Sequence, residues 1–195
     1  MRLFNAIAIA ATVLLSAGTA SAQQTKQLSI ATGGTGGVYY PLAGGLGSII
    51  AKELPGVTAT AQVTGGSVAN LQLISTGKAD LCFTQVDAAW DAISGKGKFP
   101  NKINLRTLVV MYPNHMQVVT VDGTGISKVE DMKGKRVSTG APGSATEVFA
   151  FRVLEAAGVD PEKDIKKERL SVAESVNALK DKKIDAFFFV AGLPT

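Results

Sequence analysis

The stretch "SIATGGTGGVYYPLAGGLG", residues 29–47, places four glycines within the five positions 33–37. An apolar run ending in Ser29, Ile30 and Ala31 leads into it. Tyr39, Leu42, Leu46, Ile49 and Ile50 lead out at helical spacing. A strand, a glycine loop and a helix form the usual sequence pattern of a phosphate cradle. The details argue against a nucleotide. Starting from Gly34, the dinucleotide pattern G-x-G-x-x-G finds Gly36 and then Tyr39, where a third glycine is required. The following strand-like run ends "AQVTGGS" and carries no acidic residue for a ribose. No Gly-Lys-Ser/Thr element of a P-loop follows the loop.

The physics of the loop is independent of that failure. Glycines let the backbone turn tightly and approach a ligand. The first N–H groups of the next helix have no intrahelical partners and carry partial positive charge. Such an end favours an anion by about 0.3–1 kcal/mol, or ~2 kcal/mol when partly buried. Several ends facing one cleft, with side-chain hydrogen bonds, reach the roughly −8 kcal/mol of micromolar binding. The sequence offers these ends at "TGGV", "GGSV" and "PGSATE", where Ser67 and Ser144 also suit plain N-caps.

Outward from the loop, the chain alternates strand-length apolar runs with helical patterns. "QLSIAT" reads as a strand and residues 38–54 as a helix. "VTATAQVT" is a strand, and a helix opens at Ser67. "DLCFTQV" is a strand, "DAAWDAIS" a helix with Trp90 in its core face, and "LRTLVVMY" another strand. Strands alternating with helices imply parallel βαβ units and an α/β fold. After a break at Pro113 and Asn114, "HMQVVTV" is a further strand and "KVEDMKGK" a short helix. A second unit follows: "RVSTGAPGSATEVFAFRVLEAAG" as strand, glycine loop and helix, "IKKERLS" as strand, "VAESVNALKDKK" as helix and "DAFFFVAG" as strand. The units echo each other. Thr32-Gly33 precedes Asp80 in one as Thr139-Gly140 precedes Asp185 in the other. Two α/β lobes are expected, residues 23–114 and 115–195, each presenting a glycine loop at a helix start. Because the chain stops soon after "DAFFFVAG", the second lobe reads as truncated, and Phe187, Phe188 and Phe189 are expected to lack part of their cover.

Residues 1–22 read as a cleaved signal peptide: Arg2, the apolar run "AIAIAATVLL", and the small-x-small site Ala20-Ser21-Ala22. The expected location is the periplasm. Without Arg2 the chain has 19 basic and 16 acidic side chains, a net charge of +3, interleaved as in "DPEKDIKKER". No basic block marks a nucleic-acid partner. Cys82 is the single cysteine, so no internal disulfide forms, and its apolar run makes it a small core residue. His115, the single histidine, has no acidic or cysteine cluster beside it in sequence and reads as a surface or hinge residue.

"TGGTGGVYYPLAGGL", "VTGGSVANLQLISTGKADLCFTQVD", "DMKGKRVSTGAPGSATE" and "IDAFFFVAGLP" together resemble the TAXI family, the extracytoplasmic solute-binding subunits of TRAP-type secondary transporters. The resemblance runs over nearly all of the chain after residue 22. It implies a type II periplasmic-binding-protein fold, two α/β lobes closing on a ligand. It implies a small carboxylate, glutamate-like or 2-oxoglutarate-like, delivered to a TRAP-type membrane permease. It carries no catalytic residue, no metal and no cofactor. The ligand contacts it implies are Gly36, Gly37, Val38 and Tyr39; Ser67; Gln85 and Asp87; Gln117; and Gly143, Ser144, Ala145 and Thr146. Tyr39 and Tyr40 suit a core role as well. Asn114 stands where the family often has an acidic residue. Two other classes stay open: an exported enzyme, for which no Gly-x-Ser-x-Gly elbow or metal-spaced cluster speaks, and a sensory module using the same fold.

Overall fold

The computed structural model describes residues 25–193. The expected signal peptide lies outside the described residues. Seven strands and five α-helices build two sheets. In the first, β1 (Lys26–Ala31) lies between β2 (Val57–Gln62) and β3 (Leu81–Cys82), and both pairings are parallel. The second has the order β4-β7-β5-β6. Its strands are β4 (His115–Thr120), β5 (Arg136–Ser138), β6 (Lys166–Glu168) and β7 (Ala186–Ala191). β5 pairs in parallel with β6 and β7, and β4 runs antiparallel to β7.

Helices cover both faces of each sheet. In the first lobe α1 (Tyr39–Glu53) buries Ala43 and Ile50 against Ile30. On the other face α2 (Ser67–Ser75) and α3 (Val86–Ser94) pack Val68, Leu71, Ala88 and Ala92 with Phe99. In the second lobe α4 (Ala145–Ala156) packs Ala150 and Leu154 on Val137 and Phe188. There α5 (Val172–Lys180) packs Leu179 on Phe187. Strand side chains alternate between faces, so neighbours Phe187 and Phe188 enter different cores. Both are buried, which corrects the expectation that they lack cover.

The sequence echo is a hydrogen-bond echo. Asp80 accepts from Ser29 N at 2.8 Å, and Asp185 accepts from Arg136 N at 2.8 Å. Each carboxylate thus ties the start of one strand to its parallel neighbour. Thr32 and Thr139 do the equivalent work at the other end. Thr32 N donates to Gln62 O at 3.0 Å and Thr139 N to Glu168 O at 2.9 Å. β1-α1-β2-α2-β3 and β5-α4-β6-α5-β7 are the same βαβαβ unit built twice.

Two expectations are overturned. "LRTLVVMY" forms no strand, and Leu108, Val109, Val110 and Met111 are exposed. A strand exists only through a ladder partner, and the two-residue β3 at that edge of the sheet offers this run none. Trp90 is not core: it is 63 % exposed, with Val86 and Ile93 exposed beside it on the outer face of α3. The short helix expected in "KVEDMKGK" is a single 3₁₀ turn, Val129–Met132.

Candidate functional site

Parallel strands deliver their C-terminal ends, and the helices that follow them, to one edge of each sheet. The two edges face each other across a cleft. Local chemistry sets each helix start. Ser144 Oγ accepts from Glu147 N at 3.1 Å and caps α4. Ser171 and Glu174 form a reciprocal capping box on α5. Pro41 lies in the first turn of α1, where its missing N–H costs nothing. At α2 the cap position belongs to Gly66, whose φ of 118° excludes most side chains, so Ser67 is not the N-cap. The Ser67 hydroxyl instead accepts from Gln85 N at 3.1 Å and links the starts of α2 and α3. Fully buried Asn70, unnoticed in the sequence, donates to Thr32 O and to Phe83 O and pins the strand ends beneath the first glycine loop.

The cleft has a volume of about 100 Å³. The N-terminal residues of all five described α-helices line it: Val38 and Tyr39, Gly66 and Ser67, Gln85, Ser144 to Thr146, and Ser171 with Val172. Apolar walls come from Leu170, Phe188, Phe189 and Val190, and Tyr112 and Asn114 close the side where the chain crosses between lobes. No lining residue carries a formal charge. The Tyr39 ring stacks on Phe83 with centroids 5.3 Å apart, so this residue packs and lines at once. Burial pushes its phenol up to about 12, against the pull of nearby Ser67. Burial also raises the phenol of Tyr112, opposed by nearby Asn114. Neither neighbour reaches hydrogen-bond geometry: both phenol oxygens are buried without a protein partner. A buried, unpaired hydroxyl is costly unless something else satisfies it.

Of the residues singled out in sequence, Gly37, Val38, Tyr39, Ser67, Gln85, Ser144, Ala145 and Thr146 are brought together on this cleft. Four lie elsewhere. Gly36 sits against the start of α5, where a Cβ would come 3.2 Å from that of Ala173. Gly143 offers its carbonyl to Val68 N and Ala69 N, each at 3.1 Å, and so joins the lobes. Asp87 pairs with Arg152 from the other lobe. Gln117 lies in β4 opposite Phe189. Sequence reading missed Tyr112, Asn114 as a lining group, Leu170 to Val172 and Phe188 to Val190. These join the cleft through tertiary closure, which leaves no local signal. Cys82 is half-buried with its thiol pushed up to about 11 by burial, an inert setting for a nucleophile. Among the described residues no cluster of His, Cys, Asp or Glu could hold a metal ion.

The model of the NMT1-like family matches residues 30–195. The chain belongs to the NMT1-like family. Solved structures similar to this NMT1-like protein are binding proteins. The alkanesulfonate-binding protein from Xanthomonas axonopodis pv. citri, bound to MOPS, is 19 % identical with a TM-score of 0.56, over 86 % of this chain and 55 % of that one. A putative L-cystine ABC transporter protein from Listeria monocytogenes is 20 % identical with a TM-score of 0.58, over 84 % and 68 %. A histidine-bound ABC uptake transporter binding protein from Streptococcus pneumoniae is 17 % identical with a TM-score of 0.56, over 86 % and 67 %. This NMT1-like chain therefore has the type II periplasmic-binding-protein fold, two α/β lobes with a cleft between them, and it spans 55 % of the length of the alkanesulfonate-binding protein.

Proposed function

We propose that this NMT1-like protein is an extracytoplasmic solute-binding protein. It captures a small carboxylate, glutamate-like or 2-oxoglutarate-like, and delivers it to a TRAP-type membrane permease, as the TAXI resemblance implies. The lobes are residues 23–114 and 115–195, and the working location is the periplasm after removal of residues 1–22. The observation that carries the reading is the charge-free cleft on which five helix N-termini converge. Preorganised N–H dipoles in a partly dry site suit an anion's oxygens. The ligand contacts are Gly37, Val38, Tyr39, Ser67, Gln85, Ser144, Ala145 and Thr146. Gly36, Gly143, Asp87 and Gln117 act behind them, on closure or strand pairing.

A binding role also fits the chemistry of the lining, which holds no His, Cys, Lys, Asp or Glu to move a proton or attack a substrate. The alkanesulfonate-binding neighbour supports the choice of an anion. A thermal-shift panel on the purified protein tests the reading. Carboxylates should raise the melting temperature, with about 2.7 kcal/mol of added stability at one hundred times Kd. A response restricted to neutral sugars or metal ions would overturn it. Uptake into vesicles carrying a TRAP-type permease should require this protein.

A further inference from the structure

The acidic residues nearest the cleft are all turned away from it. Asp87, Glu147 and Glu174 stand in the first turns of α3, α4 and α5. Asp87 accepts from Arg152 Nη1 at 3.0 Å. Glu147, buried, accepts from Arg169 Nη2 at 3.1 Å and from Arg169 Nε. Glu174 accepts from Ser171 N at 2.8 Å and from Ser171 Oγ at 2.7 Å. None of the three lines the cleft, which offers only neutral groups: two side-chain amides, hydroxyls, backbone and apolar walls.

An ammonium group entering such a site loses hydration and gains no counter-charge. It would also face helix ends whose partial charge is positive. A carbonyl or hydroxyl at the same carbon meets the opposite situation. The phenols of Tyr39 and Tyr112, kept protonated by burial, are unpaired donors. The amides of Gln85 and Asn114 donate as well.

Building on the solute-binding reading, we propose that the cleft selects acids that lack an ammonium group, 2-oxo and 2-hydroxy acids over the amino acids of the same skeleton. The carboxylate is held by helix N-termini, and the 2-oxo or 2-hydroxy oxygen by the neutral donors. The selectivity lies in what is missing: no carboxylate faces the position an ammonium would take.

Calorimetric titration of the purified protein with matched pairs decides this, 2-oxoglutarate against glutamate and 2-oxoisovalerate against valine. In each pair that binds, the oxo acid should bind at least tenfold more tightly. An amino acid that binds as tightly as its oxo acid, or more so, overturns the inference and leaves the solute-binding reading standing. No binding by any carboxylate overturns both. Near-isosteric variants give a second, independent arm. Asn114→Asp and Gln85→Glu each restore a carboxylate to the lining, and at least one should shift the oxo-to-amino affinity ratio tenfold or more toward the amino acid. A ratio unmoved in both variants, with thermal unfolding intact, overturns the inference.

Discussion

Arg152 on α4 reaches across to α3 and holds two carboxylates of the other lobe at once. Its Nη1 lies 3.0 Å from Asp87 Oδ2 and its Nη2 2.9 Å from Asp91 Oδ2. The guanidinium also lies over the Phe149 ring, 5.8 Å from its centroid. These pairs tie the lobes together beside the cleft.

Arg152→Met should therefore change ligand affinity more than stability. The pairs are half-exposed, and exposed ion pairs contribute about 0–1 kcal/mol. We expect the melting temperature without ligand to move little, while ligand affinity falls several-fold. Wild-type affinity should also weaken with added salt, and the variant's less so. Titrations at low and high salt check both. Equal salt dependence in the two proteins would remove this latch from the closing equilibrium.

Gly65 should be intolerant for a different reason. A Cβ there would lie 2.1 Å from the carbonyl oxygen of Pro142 on the other lobe. That oxygen belongs to backbone and cannot step aside cheaply. Gly65→Ala should leave each lobe folded but hold the pair apart. Small-angle scattering should then show no ligand-induced compaction, and affinity should drop at least tenfold. A variant that closes and binds like wild type would mean the lobes meet with more slack than this.

Ser144 separates capping from binding. Ser144→Ala removes the cap on Glu147 N and should cost about 1 kcal/mol of stability. Asp caps as well as Ser, and its charge suits the helix start. It also puts a charge where a ligand carboxylate would dock. At ~4 Å two such charges repel by about 4 kcal/mol at an effective dielectric near 20. Ser144→Asp should keep the ligand-free melting temperature and lose roughly a thousandfold in affinity. An Asp variant that binds as wild type does takes Ser144 out of the site.

Asp185 sets part of the acid limit. The Arg136 guanidinium, with Nη2 2.6 Å from Oδ1, and the Arg136 backbone N–H hold its carboxyl below the usual range. A depressed folded-state value contributes stability that is present above the unfolded value of about 3.9 and is lost as pH falls through the folded one. Asp185→Asn should be less stable than wild type at neutral pH, and the gap should close as pH drops below about 4. Urea midpoints across that range check it; a gap independent of pH would contradict the assignment.

Trp90, the single tryptophan, gives a cheap optical test. Exposed beside Val86 and Ile93, it should emit like tryptophan in water and be quenched freely by acrylamide. Blue-shifted, protected emission that reverts on dilution would report self-association through this apolar face.

What the sequence shows and what it hides divide along the range of the interactions. The glycine loops, the caps at Ser144 and Ser171 and the paired Asp80 and Asp185 are local devices, and local patterns reveal them. "LRTLVVMY" has every local mark of a strand, but a ladder needs a neighbour, which composition cannot supply. Trp90 sits at core-like spacing on a face that nothing covers. Asp87 ends a strand where a ligand contact is expected, yet its partner Arg152 is sixty-five positions away. The cleft's far wall, Leu170 to Val172 and Phe188 to Val190, exists only because the lobes close.

The position of β7 between β4 and β5 has a consequence for how the chain assembles. β4 opens the second sheet in sequence, but its ladder partner is the last strand described, with Val119 opposite Phe187. The Thr120 hydroxyl likewise donates to Asp185 O, at 2.8 Å. The first lobe's three strands follow one another directly in the chain and can pair as soon as they are made. The second sheet must hold β4 unpaired while β5, α4, β6 and α5 are synthesised. Closing a loop of that length is an entropic cost met before any contact rewards it. Emergence from the ribosome should thus give an early-folding first lobe and a late, all-at-once second one. In that interval the apolar edge of β4 is the segment most in need of a chaperone.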